Sequence, residues 1–322
     1  MSTDFFLIDV SHWDPSVDWS ILKSHNVLSA IIKATDGYGG VDNMFQTHCN
    51  GAKAVGMVLG AYHFFRPWID QASIEKQAQF YLDKIANQPV KFVAMDLEEY
   101  TRNPATKVAP SVYSRRVQTF AAYITSHSPL PFVIYTRKSF LDISAPQVYD
   151  WLGNYKLWMA HWRYTQDDLN SGKQTLTWEQ LVAEHIPPYS GPTVPPSNTD
   201  WTLWQWTGEK FLLPGVAENS VDLNFFNGTK NDFYEWAQFT ADECDAHSEP
   251  GDPDLPHTIK VLALIQVHSS PNTDAPVVGN LDTTAQPVAL DICVKDGDKY
   301  ARIGENQWIA MRFKGVKFAD WM

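Results

Sequence analysis

Short apolar runs rich in β-branched and aromatic residues recur along the larger, N-terminal part of this chain, and their spacing is the feature that most restricts its fold. FFLIDV, SAIIKAT, VLGAYHFF, KFVAMDLEE, PFVIYT, KLWMAHW and WTLWQW each have the length of a buried strand. Between several of them lie helix-like segments. Ile74, Ala78, Tyr81, Leu82 and Ile85 recur at helical spacing within Ser73 to Ile85, and a second segment runs from Pro110 to Ser126. Buried strands alternating with helices predict an α/β fold, an irregular TIM-like (β/α) barrel. Barrels place their chemistry where strands end and loops begin. Asp9, Asp36, Asp96, Glu98 and His63 all fall near such ends.

With 322 residues, 44% of them hydrophobic, the chain can build one large domain and a small one. The boundary is expected where composition changes. From residue 238 to 256, Asp242, Glu243, Asp245, Glu249, Asp252 and Asp254 are interleaved with Pro250, Gly251, Pro253 and Pro256, as in an interdomain linker. This makes 1–237 the barrel and 257–322 a separate module. The module's runs IKVLALIQV, QPVALDICV, KYARIG and QWIAMRF, separated by turn residues, predict a small all-β barrel. The proline-rich piece from Ile186 to Asp200 reads as a long loop inside the first domain, since strand-like runs flank it.

A net charge of -12, with no long Lys/Arg run, excludes the electrostatic footprint of a nucleic-acid binder. It argues only mildly against an anionic polymer, because salt screens beyond about 8 to 10 Å. Cys49, Cys244 and Cys293 are far apart and odd in number, so they read as free thiols rather than a disulfide or metal framework. No Cys/His cluster or H-E-x-x-H helix is present; no metal and no cofactor are expected. The N-terminus has no basic region before its apolar run, which predicts synthesis in the cytoplasm without a signal peptide. No apolar stretch approaches membrane-spanning length, so no membrane insertion is expected. Composition is silent on oligomeric state.

In KFVAMDLEEY, strand alternation sends Asp96 and Glu98 to one side, Leu97 behind them and Glu99 away. Like charges that close raise one pKa and yield a protonated acid beside an ionised partner, the pairing that glycoside hydrolysis uses. A lone D-x-E would more often be a solvated pair at a strand end. Here it has company: IDVSHWDPSVDW, KATDGYGGVDNMF, GAYHFFRP, AMDLEE, LWMAHW, LWQWT and VDLNFFNG stand in that order between Phe5 and about Gly228. Together they resemble glycoside hydrolase family 25, the Chalaropsis-type lysozymes, whose motifs are D-V-S, K-A-T-E-G, G-x-Y-H-F, D-x-E, W-x-A-x-W/Y, W-Q-W/Y and V-D-x-N.

That resemblance implies a β-1,4-N-acetylmuramidase acting on bacterial peptidoglycan with net retention. Glu98 would be the general acid/base and Asp96 the group that stabilises positive charge or positions the substrate's N-acetyl group. Asp9 and Asp222 would complete an acidic floor. A covalent and a substrate-assisted intermediate are both compatible with the sequence; the parallel projection of an i, i+2 pair favours assistance. Thirteen tryptophans and thirteen tyrosines suit stacking on sugar C–H faces. Tyr62, Tyr135, Trp158 and Trp204 are the expected wall residues, with His63 and Asp36 also at the site, while Trp201 and Trp206 are left to the core. His63 and His161 can equally be structural, and Asp18 and Asp42 suit caps and turns. The sequence departs from the family in Asp36, where Glu is commoner, in His12-Trp13 and in Glu99 beside Glu98. The C-terminal module resembles bacterial SH3-like domains through Ser269, Ser270, Pro271, Val278, Gly279, Leu281 and Trp308, although His268 and Ser270 replace the Arg and Gly of the usual turn. Access to the wall would come through a holin, lysis or an injection apparatus, as for a phage-type endolysin. The reading from another class is a carbohydrate-binding or structural component of a phage tail or injection particle.

Overall fold

The computed structural model describes residues 5–67, 71–100, 107–162, 174–175, 191–208, 211–216, 221–239 and, apart from 272, 274, 290, 296–297, 305–306 and 314–315, 257–321. The elements fall into two compact units, one built up to the helix that ends at Trp236 and one built from His257 onward. The expected linker lies outside the described residues from 240 to 256, and so does Cys244. Cys49 is a buried free thiol.

The first unit is a closed barrel of eight strands: β1 (Phe6–Val10), β2 (Val27–Asp36), β3 (Val58–Phe64), β4 (Val90–Leu97), β5 (Phe132–Thr136), β6 (Lys156–Ala160), β7 (Leu203–Gln205) and β8 (Asp222–Phe226). Strands β1 to β7 run parallel in chain order, with β1 also paired to β2. The exception is β8, which lies antiparallel between β7 and β1 and closes the barrel. An antiparallel neighbour needs no crossover helix, whereas the connections from β1 through to β6 each carry one or more helices. The reversal has a consequence for the site: the first residue of β8, not its last, stands at the mouth.

The strands are buried almost throughout, as expected when side chains fill the barrel on one face and helices cover the other. α1 (Trp19–Ser24) is capped by Asp18, which accepts from Ile21 N; α2 spans Phe45–Ala54. α3 (Gln71–Ile85) buries Ile74, Ala78, Tyr81 and Ile85, the residues whose periodicity predicts it. α4 (Pro110–His127) starts with proline in its first turn, where a missing N–H costs nothing, and buries Val117, Phe120, Ala121 and Ile124. Shorter helices α5 (Lys138–Ser144) and α6 (Tyr149–Leu152) follow β5, and α7 (Lys230–Trp236) closes the unit. Gly191 to Asp200 forms no helix or strand, while 186–190 of the proline-rich piece lie outside the described residues.

The second unit consists, among the described residues, of antiparallel strands only. Its larger sheet runs through Val277–Leu281, Ile265–His268, Gln307–Phe313, Asp298–Gly304 and Asp291–Lys295; the smaller comprises Val288–Ala289, His257–Val261 and Ala319–Trp321. Ile259, Val261, Val267, Ile309 and Met311 form its core.

Candidate active site

A cavity of about 540 Å³ opens at the C-terminal ends of β1 to β7. Its lining follows from strand alternation, since every second residue near a strand end points inward. Asp9 of β1, Lys33 of β2, Tyr62 and Phe64 of β3, Asp96 of β4, Tyr135 of β5, Trp158 of β6 and Gln205 of β7 all reach it, with Glu98 one residue beyond β4. Asp222 arrives through the reversed strand, in register opposite Asp9. Tyr62 and Tyr135 meet the Trp158 ring edge-on, at 6.3 and 4.7 Å between centroids. The structure therefore gathers Asp9, Asp96, Glu98, Asp222, Tyr62, Tyr135 and Trp158 around one space.

Three expected residues are elsewhere. Trp204 is fully buried on the far side of its strand, against Phe225, and donates through Nε1 to His161 O at 2.9 Å. Alternation explains the correction: if Gln205 faces the cavity, Trp204 cannot. His63 likewise follows inward-facing Tyr62, and it is fully buried between Thr35 Oγ1 (2.7 Å) and Gln77 Oε1 (2.8 Å). Burial lowers its pKa to about 4, which keeps the ring neutral. A register shift in β2 between Lys33 and Thr35 lets the first face the cavity and the second face His63. Asp36 does not line the cavity; the Arg66 guanidinium grips both its oxygens, at 2.5 and 2.8 Å, and Lys33 Nζ lies at 3.5 Å. These partners hold its carboxyl below the ordinary range against the opposing effect of burial.

Several cavity residues escape the sequence reading, namely Gln205, Lys33, Asp14 and Trp13, whereas Trp162 closes the LWMAHW run that the sequence places beside the acids. For Gln205 a signal exists, a polar residue inside the apolar run LWQW, where burial requires hydrogen-bond partners. Its amide donates to Asp9 Oδ1 and Oδ2, both at 3.1 Å, and to Asp222 Oδ2 at 3.0 Å. Asn224 adds a bond of 2.7 Å to Asp9 Oδ2. The loop that carries Trp13 has no periodicity to betray it.

Burial governs the acids. Desolvation raises Asp9 to about 7 although Asn224 and Gln205 both favour its charged form. Asp96 is raised well above the carboxylate range by burial and then by Glu98, and among the described residues its Oδ1 has no hydrogen-bond partner. Glu98 is raised too, by burial and by Glu99, with Arg137 opposing. Glu99 turns aside as alternation predicts and pairs with Arg137. The result is a set of carboxyls whose pKa values burial raises, beside rings suited to sugar faces.

A closed barrel with acids and aromatics at its mouth defines a carbohydrate-active enzyme of the glycosidase class. The chain belongs to the glycosyl hydrolases family 25, whose profile matches residues 8–216. It is similar to Lysozyme M1 of Streptomyces globisporus, at 28% identity over 231 residues that cover 69% of this chain and 67% of that protein. The uncharacterized protein YegX of Escherichia coli (strain K12) matches at 26% identity over 228 residues, 69% of each chain. Of solved structures, the bacterial lysozyme from Streptomyces coelicolor matches with a TM-score of 0.59 at 26% identity, over 75% of this chain and 100% of that one. The muramidase from Trichobolus zukalii shares the fold, with a TM-score of 0.55 at 22% identity, over 73% of this chain and 100% of that one. The protein is a glycoside hydrolase of the lysozyme type.

Proposed function

We propose that this enzyme cleaves the β-1,4 bond between N-acetylmuramic acid and N-acetylglucosamine in bacterial peptidoglycan, with net retention. The observation that carries the reading is the Asp96/Glu98 pair, both raised in pKa, on an aromatic-walled cavity in a family 25 chain. Glu98 gives its proton to the glycosidic oxygen as the bond to C1 breaks. The carbonyl oxygen of the substrate's own N-acetyl group then bonds C1, and Asp96 faces the positive charge that develops. Both acids are raised by burial, and a cation beside Asp96 favours its carboxylate form and leaves the proton with Glu98. A water that loses its proton to Glu98 attacks C1 and reopens the ring, so configuration is retained and Glu98 is protonated again. Asp9 and Asp222 form the floor that orients the sugar.

The second unit is read as an SH3-like module that binds the wall, and the whole as a phage-type endolysin made in the cytoplasm and released by a holin or lysis. A small β-rich unit with its own core, joined to a hydrolase barrel, supports that organisation. A purely binding role is not favoured, since a binder has no use for a buried pair of carboxyls with raised pKa values. The test is release of new reducing ends from purified peptidoglycan. Glu98→Gln keeps shape but cannot donate a proton, so it should lose about a hundred- to ten-thousandfold of the rate while staying folded. A folded variant with more than a tenth of the wild-type rate would show that another group is the acid.

A further inference from the structure

Gln205 has no acid–base chemistry of its own, yet its side chain is where the floor of the site and one of its walls are tied together. It is buried, and Nε2 is shared between the two oxygens of Asp9 and one of Asp222. Oε1 accepts from Tyr135 OH at 2.8 Å and from Trp162 Nε1 at 3.1 Å. An indole N–H only donates, so the carbonyl must face Trp162 and the NH2 group the carboxylates. Rotating the amide by half a turn would set its oxygen against two acids. Asn224 supports the same floor, held by Trp158 Nε1 at 2.7 Å while it donates to Asp9.

Trp162 is 49% exposed, and its indole lies against Gly208, where an added Cβ would come within 2.6 Å of the ring. A sugar lying on the open face would shield the Nε1–Oε1 bond from water and so stiffen it.

We infer that Gln205 is a positioning residue that clamps Asp9 and Asp222 across the β1–β8 pair and links that clamp to Trp162, the ring a bound glycan covers. This rests on the reading of the cavity as a glycan-cleaving site. Gln205 acts through the acids, aligning them and offering donors that favour their charged forms. Asp9 shares the cavity with Asp222 from β8, Asp14 from the loop after β1, Asp96 and Glu98 from the end of β4, Lys33 from β2 and Tyr62 from β3. Against that background, loss of the Gln205 donors leaves more carboxylate repulsion uncompensated.

The test compares wild type, Gln205→Met and Trp162→Phe by carboxyl-carbon NMR titration of Asp9 and by kcat and KM on soluble glycan fragments across pH. In Gln205→Met the Asp9 titration should move up by roughly one pH unit, the worth of a hydrogen bond to a charged group. The acid limb of activity should follow it, and kcat should fall about ten- to a hundredfold, as when groups orienting a reacting residue are lost. Trp162→Phe keeps an aromatic face but removes the N–H, so Asp9 should shift in the same direction by less, whatever change in KM the smaller ring brings. A folded Gln205→Met with an unmoved Asp9 titration overturns the inference. If that variant does not fold, Trp162→Phe decides, and an unmoved Asp9 there overturns it equally. A wild type that releases no reducing ends would remove the functional reading while the NMR result still judges the clamp.

Discussion

Each carboxyl at the mouth ionises according to its own surroundings, and the sequence shows the residues without those surroundings. Asp96 lies deepest in cost: it is buried, next to Glu98, and raised well above its ordinary pKa. A carboxyl raised on folding contributes stability that is present below its unfolded pKa near 3.8 and lost as pH rises through the folded value. Asparagine does not titrate, so Asp96→Asn should gain melting temperature relative to wild type as pH goes from 4 to 8, while turnover collapses. An advantage that stays constant across that range would show that Asp96 carries no raised pKa. The D-x-E pair was legible because alternation alone puts both acids on one side. Alternation also decides between Trp204 and Gln205, but choosing the phase requires knowing which face of β7 looks inward. An apolar run with polar Gln205 inside leaves both faces open, because buried amides occur in cores as well as in sites. His63 was ambiguous for the same reason, and its contacts with Thr35 and Gln77 come from β2 and α3, distant in sequence.

At the scale of elements, strand runs and helix periodicity were the readable part, since β2 to β6 and helices α3 and α4 lie where the patterns put them. The reversal of β8 was not readable: VDLNFF has the same apolar character in either direction, and only its pairing with β1 and β7 shows that it runs antiparallel. That reversal brings Asp222 to the mouth, so the element after it bears on the site. α7 begins with a capping box, in which Thr229 Oγ1 accepts from Asp232 N at 3.2 Å and Asp232 Oδ2 accepts from Thr229 N at 2.7 Å. Its Phe233 packs against Phe5, just before the first strand, and Phe226, the last residue of β8. Thr229→Ala should therefore lower stability by about 1 kcal/mol, measured by denaturant unfolding, with kcat unchanged. A loss well above 3 kcal/mol, or a loss of activity in the folded variant, would mean that the cap supports the closing strand more directly.

For the whole molecule, the two units each have their own core, and the expectation that 238–256 is a tether between independent modules is open to test. A chain ending at Phe239 should stay folded and keep hydrolysing soluble glycan fragments. If the second unit binds the wall, the same truncation loses far more activity on intact cells than on fragments, because tethering raises local concentration without touching the chemistry. Equal losses on both substrates would argue against wall binding, and a barrel that cannot fold alone would overturn the division. The central claim is that the acids at the barrel mouth cut one particular bond of the peptidoglycan glycan strand. Mass spectrometry of the reducing ends released from purified peptidoglycan by the full-length enzyme tests it most directly. The account predicts N-acetylmuramic acid at the new reducing ends, with none formed by Glu98→Gln; N-acetylglucosamine at those ends would contradict it.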